Sequence, residues 1–329
     1  MAVNTTELAA VLERYRDREI LVTGHRDPDG DCIGSITAMA RGLKLLGYRA
    51  TALNRDPVPY RYAFLDPEQE VKTPDQVDPS VFSLALVLDS SNLDRLGFDL
   101  HELFPNLGDV VNIDHHVSNT RFGTLNYVER HAAALCEVLY GILKDLGVPA
   151  DARVANSLYT GITTDTGSFQ YEATTADTLQ IGAELIRRGA DINQIRENVW
   201  ENEPLNRLVV LSRVLKILGV SEDAKMAWIS IGNSDIEKYQ LDNGDLEKFV
   251  DYPRIIRGVE VAVFFKEIHP LFTKVSIRTK TTVDADRLAR IFGGGGHKRA
   301  AGCKREGPLE ETMDVVLRAF RDVLEKVGA

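Results

Sequence analysis

Histidine and aspartate recur in this chain at spacings that let a few side chains converge. His25 is followed by Asp29 and Asp31, three ligand-type side chains within seven residues, on a loop that also carries Pro28 and Gly30. Such a loop brings them together only if the backbone turns tightly; otherwise it is a polar connection with Asp31 near the cap of the next helix. Two further clusters weigh against the plainer reading: Asp89 ends one apolar run, and Asp114-His115-His116 ends another. A buried carboxylate costs several kcal/mol unless it is paired or metal-bound, so a group of them around one sheet edge requires cations. Asp165, in Thr160-Gly-Ile-Thr-Thr-Asp165-Thr-Gly167, is a fourth candidate, on a polar segment that interrupts a helical stretch. The set His25, Asp29, Asp31, Asp89, His115 and Asp165 holds carboxylates and imidazoles without thiolate, which favours manganese or magnesium over structural zinc. Six ligands exceed what one catalytic ion with open positions takes. Two ions about 3.5–4 Å apart, bridged by a carboxylate and a hydroxide, fit that number and suit phosphoryl chemistry.

The elements that must hold these residues read as strands alternating with helices. After a short helix at Thr6 to Tyr15, the strand Ile20-Leu21-Val22 runs into the His25 loop. A helix follows from Ile33 to Leu46, with apolar Ile33, Ile36, Ala40 and Leu43 at helical spacing and Gly47 as its stop. Further strands are expected at Ala50 to Leu53, at Leu84 to Leu88 before Asp89, and at Val110 to Ile113 before Asp114. The alternation predicts a mostly parallel α/β sheet flanked by helices. Its polar clusters follow the carboxyl ends of strands, where open α/β sheets place their ligands. Helices are then expected at Ala132 to Leu146, Val154 to Ile162, Ala176 to Arg187, Ile192 to Val199 and Leu205 to Leu218. Beyond Gly219 to Asp223 come strands at Met226 to Ile231, Val259 to Lys266 and Thr273 to Thr279, with helices at Ala285 to Phe292 and Leu309 to Lys326. A chain of 329 residues exceeds one ordinary core. The expected division is a first domain over 1–188, a helical linker over 189–222 and a smaller α/β domain over 223–329.

There are 49 Asp+Glu against 39 Lys+Arg, a formal charge of -10. That balance argues against long duplex nucleic acid, which needs a basic face to displace counterions. It admits small anions if a local cation cancels the carboxylates. Residues 1–221 carry 31 acidic and 21 basic side chains and residues 222–329 carry 18 of each, so the imbalance lies where the clusters lie. Cys32, Cys136 and Cys303 lack C-x-x-C spacing, which excludes a disulfide scaffold or a cysteine-built zinc site. Met1-Ala-Val-Asn-Thr-Thr-Glu has no signal-peptide pattern. Apolar runs such as Val81 to Leu88 fall far short of the roughly 20 residues of a membrane helix. The expectation is a cytoplasmic protein with no membrane partner.

Gly293-Gly294-Gly295-Gly296-His297, followed by Lys298-Arg299-Ala300-Ala301-Gly302, is the remaining strong pattern. Four glycines let backbone approach a ligand and aim its amides at an anion. It is no Walker loop, because Lys298 is not followed by Ser or Thr and no strand leads directly into it. A flexible linker is the plain alternative, against which His297 and the small-residue run speak. Arg278, ending a strand, could hold a phosphate bidentately; taken alone it reads as a surface arginine.

In order, His25-x3-Asp29-x-Asp31, Asp89, Asp114-His115-His116 and Asp165-Thr166-Gly167 resemble the four motifs of the DHH phosphoesterases. Gly293 to Gly302 resembles the signature of that superfamily's associated carboxyl-terminal domain. Each motif is weak alone, but five in the right order across nearly the whole chain are jointly specific. The length, the Gly-Gly-Gly-Gly-His run, and Asp165-Thr-Gly-Ser-Phe-Gln-Tyr followed by Thr174-Thr175 most resemble the NrnA-like nano-RNase group. Its members are described as bifunctional oligoribonucleases and pAp phosphatases.

That resemblance implies two α/β domains, a DHH domain and a DHH-associated domain, with the active site in the cleft between them. It implies two divalent ions, manganese first, with magnesium or cobalt as alternatives. His25 and Asp29 would hold one ion, Asp31, His115 and Asp165 the other, and Asp89 would bridge them. His116 would face the substrate phosphate, stabilising charge or protonating the leaving oxygen, with Asp114 orienting a histidine from behind. Arg278, Gly295, Gly296 and His297 would receive the nucleotide or its second phosphate. The implied reaction is attack on phosphorus by a metal-held hydroxide, on RNA of two to five nucleotides, on pApA, or on 3'-phosphoadenosine 5'-phosphate (pAp) to give AMP. A cyclic-dinucleotide (c-di-AMP) phosphodiesterase is the alternative. A DHH-type inorganic pyrophosphatase, a RecJ-like exonuclease and a non-catalytic nucleotide sensor rank below it. A homodimer is implied by the resemblance only. Leu135-Cys136-Glu137 departs from the Ser or Thr that often precedes this Glu and is expected to touch no metal ligand. Asp27 adds a carboxylate beside the loop with no assigned role. Cys32, Trp200 and Trp228 read as packing residues, His131 and His269 as surface or loop histidines, His101 as unremarkable, and Tyr171 or Phe272 could stack a base.

Overall fold

Ile20, Leu21 and Val22 are all wholly buried, and a run that is apolar on successive positions fits a strand covered on both faces. Each such side chain contributes about 1.5–3 kcal/mol through burial. The computed structural model describes residues 5–241, 246 and 248–327; Met1 to Asn4, on which the reading of the amino terminus partly rests, lie outside them. The chain divides into two units, Met1–Asn202 and Glu203–Ala329.

Among the described residues, the first unit runs α1 (Thr5–Arg14), β1 (Glu19–Thr23), α2 (Gly30–Leu45), β2 (Arg49–Leu53), β3 (Phe82–Leu88), the single turn α3 (Leu100–Leu103), β4 (Asp109–Asp114), β5 (Leu125–Val128), α4 (Leu135–Asp145), α5 (Ala152–Asp165), α6 (Ala176–Arg187) and α7 (Ile192–Val199). The five strands are parallel, in the order β2-β1-β3-β4-β5. One face packs Ile20, Val22, Leu84 and Leu86 against α1, α2, α4 and α5. The other buries Leu21, Ala85 and Val87 under Leu96, Leu100 and Phe104. The strand order reverses at β1, which has β2 on one side and β3 on the other. Chains leaving β1 and β3 at their carboxyl ends diverge and open a crevice there.

The second unit runs α8 (Leu205–Lys216), β6 (Gly219–Val220), β7 (Met226–Ile231), α9 (Asn233–Lys238), α10 (Asp251–Arg254), β8 (Val261–His269), β9 (Phe272–Thr279), α11 (Ala285–Arg290), β10 (Gly295–Gly296), β11 (Ala300–Glu306) and α12 (Leu309–Val327). Its sheet has the order β10-β11-β9-β8-β7-β6. Val316, Phe320 and Leu324 of α12, four residues apart, pack with α11 on Val263, Val275 and Ile277. Val210, Leu211 and Val214 of α8 pack on Ile229 and Phe264 on the opposite face. Helix α7 places Ile195 and Val199 in the first unit's core. No helix among the described residues is long and apolar enough to cross a membrane.

Several elements differ from the sequence reading, the short α3, β6, α9 and α10 among them. Strand β5 and the β10–β11 hairpin are present where loops were expected. Their sequences are short or rich in Gly and Ala, and the pairing comes from neighbouring strands. Helix α5 does not stop at Ile162 but runs to Asp165. The hydroxyls of Thr163, Thr164 and Thr166 donate to the carbonyls of Tyr159, Thr160 and Ile162, one turn back, so these polar residues decorate the helix without breaking it.

Candidate active site

The loop after β1 delivers His25, and Asp29 then caps α2, its Oδ1 accepting the amides of Asp31 and Cys32. Asp31 therefore lies on the first turn of α2. Asp89 follows β3 directly, with φ of 53°, a left-handed conformation that aspartate tolerates better than most residues. Its amide is held by Ile113 O at 3.1 Å. Asp114 ends β4, His115 and His116 follow it, and Asp165 is the last residue of α5.

These elements bring all six residues of the expected ligand set together. His25 Nε2 lies 3.4 Å from Asp89 Oδ2 and 3.8 Å from Asp29 Oδ1. His115 Nε2 lies 3.6 Å from Asp89 Oδ1, 3.4 Å from Asp165 Oδ2 and 3.9 Å from Asp31 Oδ2. One oxygen of Asp89 thus faces each histidine group. Both imidazoles are fixed in one tautomer, because the Nδ1 of His25 meets Arg26 O at 2.8 Å and that of His115 meets Ala132 O at 3.2 Å. A carbonyl can only accept, so Nδ1 carries the hydrogen and Nε2 turns to the carboxylates.

Two lone pairs facing each other need something between them, a proton or a metal ion. Asp89 Oδ1 is buried and has no hydrogen-bond partner, which a cation would remedy. Ligand atoms of Asp31, Asp89 and His115 lie within 4.8 Å of one another. The residues fit a divalent ion by donor chemistry and by this orphaned oxygen. Without one, protons take its place. Burial alone would lower His25, yet Asp29 and Asp89 raise it to about 10. Asp165, Asp89 and Asp31 raise His115 to about 9 against the same burial. Burial and the charge of Asp89 push Asp31 up to about 7, and burial and Asp31 push Asp165 well above the carboxylate range.

Asp31 is braced by backbone. Its Oδ2 accepts from Leu135 N at 2.5 Å and its Oδ1 from Cys136 N at 2.9 Å. The segment expected to touch no ligand is therefore the amino end of α4, which aims two unsatisfied amides at the carboxylate. The contact is made by main chain, so the identity of residues 135 and 136 is free to depart from the family pattern. Gly161 makes the approach of α5 possible. A β-carbon there would overlap Cys136 Sγ and lie 2.6 Å from Asp31 Oδ1. Gly161→Ala is expected to destabilise the chain by about 1–3 kcal/mol, the usual cost of overpacking, read as a lower urea midpoint. An unchanged midpoint would mean that α5 can move away freely.

His116 is held differently. Its Nδ1 donates to Asp114 Oδ1 at 2.7 Å, and Asn119 Nδ2 donates to Asp114 Oδ2 at 2.6 Å. Asn119 also reaches Asn112 Oδ1, and Asn112 Nδ2 donates to Val87 O and Ser90 O on either side of Asp89. This buried polar chain couples the Asp114–His116 pair to the turn that carries Asp89. Sequence reasoning missed Asn112 and Asn119; the one available signal was a wholly buried asparagine inside the apolar strand Val110-Val111-Asn112-Ile113.

In the second unit, Arg278 Nη1 donates to Ile277 O. The glycine run does not present a nest of amides. The amides of Gly293, Gly294, Gly296 and His297 donate to Arg290 O, Ala289 O, Asp286 Oδ1 and Ala300 O. Glycine is required here by close packing instead: a β-carbon at Gly294 would overlap Gly302 O. His297 is exposed.

A parallel sheet of this order with histidine and aspartate converging on its carboxyl edge, and a separate mixed-sheet unit after it, places the chain among the DHH phosphoesterases. The DHH family N-terminal domain matches residues 19–162 and the DHHA1 domain residues 225–326. The chain belongs to this family and is an enzyme of the phosphoesterase class. It is 33% identical over 323 residues to the bifunctional oligoribonuclease and PAP phosphatase NrnA of Thermus thermophilus, covering 98% of this chain and 95% of that one. The protein of the same description from Bacillus subtilis is 27% identical over 307 residues, 90% of this chain and 92% of its own. A solved structure of an exopolyphosphatase-related protein from Bacteroides fragilis superposes with a TM-score of 0.86 at 25% identity, covering 98% and 95% of the two chains.

Proposed function

We propose that this chain hydrolyses short nucleotide substrates, pAp to AMP and oligoribonucleotides of a few residues such as pApA, with two manganese ions bound. The observation that carries the reading is the Asp89 carboxylate, buried, with an orphaned oxygen and one oxygen toward each histidine group. His25 and Asp29 would hold one ion, Asp31, His115 and Asp165 the other, and Asp89 would span both. Such ions activate water as a nucleophile and offset charge on the phosphoryl oxygens. The amides of Leu135 and Cys136 keep Asp31 in place, and the carbonyls of Arg26 and Ala132 keep both Nε2 atoms aimed inward. His116, with Nδ1 fixed on Asp114, would use Nε2 to stabilise the phosphate or deliver a proton to the leaving oxygen. Arg278, Gly295, Gly296 and His297 are proposed to receive the nucleotide, the glycines by leaving room and the two side chains by polar contact.

The test is release of AMP from pAp and pApA by metal-loaded protein, with c-di-AMP and a longer oligonucleotide alongside. Manganese-dependent release from the short linear substrates is expected. Conversion of c-di-AMP to pApA, with no AMP released from pAp or pApA, would replace this reading with the cyclic-dinucleotide one, and no hydrolysis of any would sink both. His297→Ala is expected to raise KM for nucleotides about tenfold more than for bis(p-nitrophenyl) phosphate, the worth of one polar contact. Equal losses would mean that the glycine run is not the binding site.

A further inference from the structure

Among the described residues, three arginines beside the ligand cluster make no ion pair or side-chain hydrogen bond of their own. Arg26 follows β1, Arg55 follows β2 and Arg95 lies on the turn after β3, so the strand order sets them on neighbouring loops of the carboxyl edge. Backbone ties two of them, with Arg26 N donating to Arg95 O at 2.7 Å. Gly97 marks where two stems meet. A β-carbon at this residue would lie 3.1 Å from Cβ and Cδ of Arg26 and 3.1 Å from Cγ of Arg55. Its φ of 78° is the left-handed turn that lets the loop pass beneath them.

Among the described residues, none of the three guanidinium groups takes part in an ion pair or donates a hydrogen bond. Other arginines of the unit do: Arg41 holds Asp151, Arg153 holds Glu68 and Arg188 holds Glu184. The contrast is informative in a chain with 49 carboxylates against 39 basic residues. Asp56, next to Arg55, instead accepts the amide of Asp27. Like charges carried on neighbouring loops repel, so the three arginines are best satisfied by an anion. Arg26 and Arg55 are exposed and Arg95 half-buried. The loops that carry Arg26 and Arg95 follow the same strands as His25 and Asp89. The Nδ1 of His25 donates to Arg26 O, and although burial pushes the Asp29 carboxyl up, His25 and more weakly Arg95 hold it below the usual range.

We propose that Arg26, Arg55 and Arg95 form an anion subsite that binds a phosphate of the substrate other than the one hydrolysed. The proposal rests on the reading of this chain as a nucleotide phosphoesterase and adds what selects the substrate. Planar guanidinium forks match phosphate oxygens bidentately. A carboxylate-rich centre in a net-acidic chain repels a multiply charged nucleotide, and this edge of positive charge offsets that. A bisphosphate or an oligonucleotide gains from the subsite; a one-phosphate ester does not.

The experiment compares manganese-loaded wild type with Arg26→Ala, Arg55→Ala, Arg95→Ala and the triple variant, on pAp, pApA and bis(p-nitrophenyl) phosphate. Each single change should raise KM for pAp about tenfold relative to the one-phosphate ester, the loss of a charge-assisted hydrogen bond, with kcat nearly constant. Arg55→Lys should recover only part of the loss. Parallel changes in KM for all substrates would overturn the proposal. If wild type hydrolyses no nucleotide, the functional reading has failed on its own. Calorimetric titration of pAp into the same proteins then decides the subsite. Tighter binding by wild type than by the triple variant upholds it, and equal binding removes it.

Discussion

Asp89→Asn should abolish hydrolysis of every phosphoester, nucleotide or generic, by about a thousandfold or more, as when a member of a unit that acts together is lost. Asparagine keeps the shape of the side chain and accepts the left-handed φ of 53° at this position, so the turn after β3 should form normally. What it removes is the negative charge that lies between His25 Nε2 and His115 Nε2. Neither remaining half of the set then has a shared anionic ligand. The change should be read in two ways, kcat/KM on a generic diester and thermal melting with manganese and with chelator. Wild type should melt higher with manganese, because a ligand that binds only the folded state stabilises it; the variant should show no such rise. Activity within tenfold of wild type would remove Asp89 from the centre of the account.

Metal binding should release protons and tighten steeply with pH. Without metal, His25 and His115 titrate at about 10 and about 9, so near neutrality both imidazoles carry a proton on the nitrogen that must face the ion. Each must leave on binding. Loss of one proton apiece makes affinity rise by at least about a hundredfold per pH unit, and more where Asp165, pushed well above the carboxylate range by burial and Asp31, also gives up a proton, with flattening as pH approaches 9 to 10. Below about 7, Asp31 adds a further proton, and the dependence should steepen. Calorimetric titration of manganese in buffers of different ionisation enthalpy counts the protons directly. An affinity independent of pH between 6 and 8 would mean that these imidazoles do not meet the ion.

The strand ends were legible because each apolar run stops at or shortly before a residue of the candidate site: Val22 before His25, Leu88 before Asp89, Ile113 before Asp114. The end of an apolar run and the start of a polar loop are the same sequence event at a carboxyl edge. Asp165 was identified but misplaced, since threonines that donate to their own helix read as a break. The cradle of Asp31 was out of reach because it is made of the amides of Leu135 and Cys136, which no side-chain pattern reports. The glycine run has a packing role as well, which its composition does not report. Its amides are engaged by the protein, and its lack of side chains serves the packing of Gly294 on Gly302. Arg26, Arg55 and Arg95 are far apart in sequence, and only the order β2-β1-β3 makes them neighbours.

The central claim is that the cluster from His25 to Asp165 takes two manganese ions and with them cleaves short nucleotides. Its most direct test is stepwise addition of manganese to metal-depleted protein, measuring bound metal and AMP released from pAp and pApA in the same samples. The account predicts no release in chelator and full activity as the second equivalent binds. Release of AMP without metal, or none with two equivalents bound, would contradict it.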